Sequence, residues 1–190
     1  MQLPQSPNST HAILNLLSQT CDLLLDPWDP NVQDPGYVDA VQKLEAGIDA
    51  TDAPLVSMSR STFIVGLYRV ATRIYLARAS RGPWEPRESF DLLIDSLYSG
   101  PIRSCNKCGH FFPLIILACE ARTDEHRASI SKLIERTGRD RRFRSVIGLR
   151  AAVQSIWIQQ DLHRDGEMVE DYVGILNTAI SSTNIAMSLA

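Results

Sequence analysis

The chain has 190 residues, 44% of them hydrophobic and 22% charged, which is enough apolar material to bury a core. Its formal net charge of −3 argues against a protein that grips nucleic acid over its whole surface. Residues 1–10 are polar and proline-containing, unlike a secretory signal, and the longest apolar run, 111–119, is too short to span a bilayer.

From His11 onward, Ile13, Leu14, Leu17, Cys21, Leu24 and Leu25 fall on one helical face, with Ser9 or Thr10 as its cap. Pro27 and Pro30 must stop that helix, because proline removes an amide donor and restricts the residue before it. Asp34-Pro35 predicts a cap followed by proline at the first helical position, opening a helix on Val38, Val41, Leu44 and Ile48. A longer helix is predicted over 57–80, with Ile64, Leu67, Tyr68, Ala71, Ile74 and Tyr75 as its apolar stripe and Arg69 and Arg73 pointing elsewhere. Pro83 and Pro86 break the chain, and Pro86 leads a helix through Leu92, Leu93 and Leu97 that ends at Gly100-Pro101.

Residues 111–120 are apolar on all sides, which predicts the most buried helix of the molecule. Thr123 then caps an acidic first turn, suited to the positive end of the helix dipole, and Ile130, Leu133 and Ile134 line the inner face up to Gly138. Two final helices are predicted over 143–164 (Val146, Leu149, Val153, Ile156, Trp157) and 168–189 (Met168, Tyr172, Ile175, Leu176, Ala179). Period-two alternation is nowhere sustained. The expected fold is all-α, a bundle of about seven or eight helices, with residues 1–10 a flexible arm and 11–190 a single helical domain of regulatory type.

Cys21, Cys105, Cys108 and Cys119 are the only cysteines, which suits reduced thiols in the nucleus or cytoplasm. Cys105, Cys108 and His110 have a metal-like spacing, but a closed zinc site needs a fourth ligand and no second knuckle exists; the favoured reading is a loop of thiols before a buried helix, with no metal and no cofactor. Arg136, Arg139, Arg141, Arg142 and Arg144 form a basic run that could meet phosphate, an acidic partner or an import receptor. The favoured reading there is a solvated turn between helices, since cations suit a helix C-terminus. Glu120 and Arg127, with Arg122 between, are expected to form a buried polar contact orienting two helices. No His-Glu-x-x-His pair, Gly-x-Ser-x-Gly elbow or phosphate loop occurs, so no catalytic residue is assigned and the chain is not expected to be an enzyme.

Three segments stand out together. Arg73-Ile74-Tyr75-Leu76 ends one helix; Phe112-Pro113 leads the apolar run to Cys119-Glu120-Ala121; and Arg127 precedes Val153-Gln154-Ser155-Ile156-Trp157. This order is similar to the fungal-specific transcription factor domain, the regulatory region of fungal zinc-cluster transcription factors. The resemblance covers roughly 57–164, and residues 112–121 are its most specific part. It implies a nuclear or nucleocytoplasmic regulatory domain tied to fungal metabolism, secondary metabolism included. Such a domain works by intramolecular contacts, a protein partner, a second copy of itself or a small-molecule effector. The six-cysteine zinc module that reads DNA is not among these residues, so no direct DNA reading and no membrane association is expected of them. The alternatives are a small-molecule-binding helical protein and a dimerising scaffold. Arg73, Tyr75, Pro113, Cys119, Glu120, Arg127 and Trp157 are the positions expected to be structurally indispensable.

Overall fold

In the computed structural model, which describes residues 9–51, 60–82, 88–139, 146–162 and 172–182, the chain is all-α, and no strand occurs among the described residues. Helices α1 (Ser9–Leu23), α2 (Pro35–Asp49) and α3 (Arg60–Ala79) come first, with a 3-10 turn at Pro30–Gln33. They are followed by α4 (Asp91–Ser99), the single turn α5 (Pro101–Ser104), α6 (Phe111–Glu120), α7 (Asp124–Gly138), α8 (Val146–Leu162) and α9 (Tyr172–Ser182). Packing divides the chain into two compact units, Met1–Glu88 and Ser89–Ala190.

In the first unit α1, α2 and α3 pack on one another. α1 starts at Ser9, two residues inside the stretch expected to be an arm; residues 1–8 lie outside the described residues. Its buried positions are Ile13, Leu17 and Thr20. Cys21 is exposed instead of facing the core, and Thr20 takes the inward position because its hydroxyl donates to the Leu16 carbonyl at 2.8 Å. After Pro27 the chain re-enters helix through two aspartate caps. Asp29 accepts from the Asn31 amide at 2.8 Å, and Asp34 from the Gly36 amide at 2.7 Å and, more loosely, from Tyr37 at 3.4 Å. Pro35 at the first helical position loses no bond, as expected.

Val38 is 40% exposed, however, and Tyr37 is buried in its place. Tyr37, Val41, Leu44 and Ile48 step by four, three and four residues, a closer fit to the helical period than a stripe begun at Val38. Ile13, Leu44, Ile48, Val65 and Leu76 form the centre, flanked by Leu16, Leu23, Leu24, Val41 and Tyr68. Gly47 lets α1 and α2 approach closely, since a Cβ there would sit 3.2 Å from Leu16 Cδ2.

α3 buries Val65, Leu67, Val70, Ala71, Ile74, Leu76, Ala77 and Ala79, a much wider face than one stripe. Arg73 does not point away. Its side chain is 16% exposed and sits among carboxylates. The predicted start at 57 falls outside the described residues.

In the second unit, α8 packs on α6, α7 and α9, while α5 bridges α4 and α7. Pro86 lies outside the described residues; α4 itself opens at Asp91. Leu92 is 89% exposed, and Ile94, Leu97 and Tyr98 are the buried positions, the i, i+3, i+4 set of one helical face. Pro101 begins α5 rather than only ending α4. In α6 every residue from Phe112 to Glu120 is buried, as the all-round apolar pattern required. Pro113 is harmless there because the first amides of a helix have no intrahelical acceptor.

Thr123 caps α7 by accepting from the His126 amide at 3.2 Å, and Ile130, Leu133 and Ile134 face inward. α8 buries Val146, Leu149, Val153 and Ile156; α9 buries Tyr172, Ile175, Leu176 and Ala179. The predicted extensions of these two helices over 143–145, 163–164, 168–171 and 183–189 fall outside the described residues.

Candidate functional site

The chemistry of the second unit concentrates at the C-terminal end of α6. The last four carbonyls of a helix have no intrahelical partner, and α6 is buried, so water is a poor substitute. Each of them is met by a protein donor. The Tyr98 hydroxyl on α4 donates to the Leu117 carbonyl at 2.7 Å. Trp157 Nε1 on α8 donates to Ala118 at 2.9 Å, and Gln160 Nε2, one turn on, donates to Cys119 at 2.7 Å. The Glu120 carbonyl accepts from the Arg122 amide at 3.0 Å. One buried helix end is thus tied by side chains to α4 and α8.

Arg127, one turn into α7, completes this corner. Its guanidinium grips Asp161 of α8 with two bonds of 2.8 Å, donates through Nε to the Ala121 carbonyl at 3.2 Å, and lies 5.5 Å over the Trp157 ring. The expected partner was Glu120; the structure gives Asp161 instead. Asp161, half-exposed near the end of α8, meets both guanidinium nitrogens in the fork geometry, whereas Glu120 is buried at the end of α6. Tyr98 also stacks on the His126 ring with centroids 4.3 Å apart. Burial pushes its phenol well above the usual tyrosine range, with Glu120 and Cys119 adding to it, so the hydroxyl stays a neutral donor.

Of the residues singled out from the sequence, Trp157 and Arg127 lie at this corner with their side chains, and Cys119 and Glu120 with their main-chain carbonyls; Tyr98, Gln160 and Asp161 are not among those singled out. The signal available for Gln160 was a polar residue one turn after Trp157 on the buried face of α8, where an amide needs a partner. Asp161, four residues beyond Trp157, carried none that a single sequence exposes.

In the first unit Arg73 is the polar hub. It lies 3.1 Å from Glu45 and 3.1 Å from Glu88, and 3.7 Å from Asp49, while Arg78 donates to the Glu88 carbonyl at 2.9 Å. These contacts hold α2, α3 and Glu88 together. Tyr75, two residues on, is pushed up to about 12, chiefly by burial, with Cys21 adding.

In the cysteine segment Cys105 is half-buried and Cys108 buried, both as free thiols. The Cys108 amide donates to the Thr137 hydroxyl oxygen at 3.0 Å, and its thiol faces the His110 carbonyl at 4.0 Å. No group of three or more His, Cys, Asp or Glu able to hold a metal occurs among the described residues. Of the basic run, Arg141, Arg142 and Arg144 lie outside the described residues; Arg136 donates to the carbonyls of Lys132, Ile102 and Arg103, pinning α5 to α7. No described helix is long and apolar enough to cross a membrane.

Comparison with known proteins agrees with the resemblance. The sequence matches the family described as fungal specific transcription factor domain over residues 4–184. It is similar to transcription factor iacI of Pestalotiopsis fici, 26% identical over 162 residues, covering 82% of this chain and 41% of that protein. The chain thus spans well under half the length of that relative. No solved structure matches it.

Proposed function

The chain belongs to the fungal specific transcription factor domain family, and from that membership we propose that it serves as the regulatory region of a nuclear transcription regulator. It acts through contacts with the rest of its protein, with a protein partner, with a second copy or with a small-molecule effector. The two compact units work as one domain, a reading supported by the family match running across both. A catalytic role is not part of the proposal: the polar groups at the α6 corner are committed to main-chain carbonyls and to each other, and the family is one of transcription factors. Arg73, Tyr75, Pro113, Cys119, Glu120, Arg127 and Trp157 act as scaffold, holding helices whose outer faces meet partners.

The observation that carries this reading is the match over residues 4–184, most of the chain, rather than any isolated motif. The test is a tethering assay. Fused to a heterologous DNA-binding module in a fungal host, the chain should raise or lower reporter output relative to the module alone. Unchanged output across inducing and non-inducing growth conditions contradicts the proposal.

A further inference from the structure

A half-open groove of about 680 Å³ runs along the outer face of α7 beside α5. Arg103, Lys132, Arg136 and Arg139 line it against Glu125 and Glu135, four cations to two carboxylates. Positions 125, 129, 132 and 136 of α7 and its C-cap Arg139 step by four and three residues, so they share one face over about 21 Å. Ala128 and Ser129 add two small side chains to the lining.

The cations are not neutralised in place. Arg103 meets Glu125 at 3.6 Å on an exposed rim, which offsets one charge loosely. Arg136 spends its N–H groups on carbonyls, which leaves its net charge standing. Lys132 and Arg139 have no carboxylate within ion-pair distance among the described residues, and both are exposed. Stabilisation by the helix dipole falls off within the last turn, so it accounts for Arg139 but not for Lys132, which stands farther upstream in α7.

We propose that this groove is a docking surface for an acidic peptide segment, whose carboxylates meet Lys132, Arg136 and Arg139. A duplex nucleic acid fits less well. Its phosphate rail is uniform, while Glu135 interrupts the cations and Glu125 closes one end. A peptide can set a backbone amide or a single basic side chain against those two carboxylates and place acids elsewhere. This names the partner chemistry of the interaction domain proposed above and rests on that reading.

The test titrates the full chain into a labelled peptide of about fifteen residues, long enough to follow the groove, with Glu on one helical face in an Ala/Gln background. Its Gln-for-Glu counterpart and a short DNA duplex are run beside it, at low salt and at physiological ionic strength. The Glu peptide is expected to bind, the Gln peptide not, and Lys132→Glu with Arg139→Glu to weaken binding about tenfold while helicity stays unchanged. If charge reversal disturbs folding, Lys132→Gln with Arg139→Gln reads the same surface and is expected to weaken binding in the same direction. Binding that neither pair alters, no binding of the Glu peptide, or tighter binding of the duplex overturns the proposal. A tethered chain that changes reporter output while the peptide fails to bind removes this docking surface and leaves the regulatory reading intact.

Discussion

Tyr98→Phe isolates one strut of the α6 corner. The substitution keeps the ring, its stacking on His126 at 4.3 Å and the packing of a side chain that is 1% exposed, and removes only the hydroxyl. What is lost is the 2.7 Å bond to the Leu117 carbonyl, which sits in a residue with no solvent exposure. Leaving a buried carbonyl without a partner costs about 1–3 kcal/mol, against about 1 kcal/mol for a bond that water can replace. Taking about 2 kcal/mol and the melting behaviour of chains of this size, the expected loss in Tm is about 4–8 °C. Thermal unfolding followed by far-UV circular dichroism reads it directly, and the spectrum at low temperature should match that of the unsubstituted chain. A Tm unchanged within about one degree would refute the reasoning, because the bond would then be replaceable by solvent.

The remaining predictions follow from the same geometry. Ile116→Ala, at a fully buried site in α6, should cost about 2–5 kcal/mol in denaturant unfolding, whereas Leu92→Ala, 89% exposed, should stay within about 0.5 kcal/mol. A double-mutant cycle of Arg127→Lys and Asp161→Asn should give a coupling near 1 kcal/mol, since lysine cannot reproduce the two 2.8 Å bonds; additive effects would contradict the fork. Tyr98 and Tyr75 are both raised by burial, Tyr75 to about 12, so the native state holds their protons longer than the unfolded chain, whose phenols ionise near about 10. The Tyr75 contribution is therefore fully present below about pH 10 and lost as pH rises towards 12, Tyr98 acting in the same direction, and Tyr75→Phe should flatten that alkaline loss in unfolding midpoints measured against pH. A fall of the same steepness in the variant would show that Tyr75 is not the group responsible.

Much of the fold was legible because strong local signals agree with the tertiary outcome. Asp34-Pro35 and Thr123 start their helices as their chemistry dictates, and α6 is buried on all sides because it is apolar on all sides. The reading went astray where two phases fit almost equally. The apolar pattern points Val38 and Leu92 inward, yet nearby Tyr37 and Ile94 are the buried residues and give the better helical spacing. Arg73 was set on the outer face of α3 because charge normally marks solvent, and the acids that receive it, Glu45 and Glu88, lie in other segments. At the α6 corner, the residues that carry the family likeness were visible, but their partners were not. Tyr98, Gln160 and Asp161 are fixed by where α6 ends in space, and only the packed structure states which carbonyls need donors.

The most direct test of the regulatory account is reporter output from the chain tethered to a DNA-binding module, compared between the unsubstituted sequence and Ile116→Ala. The account predicts that the unsubstituted chain shifts output and that loosening the α6 core abolishes the shift while the fusion is still made at comparable level. A tethered chain that leaves output where the bare module sets it, or an Ile116→Ala chain that regulates as well as the original although its stability has fallen, would contradict it.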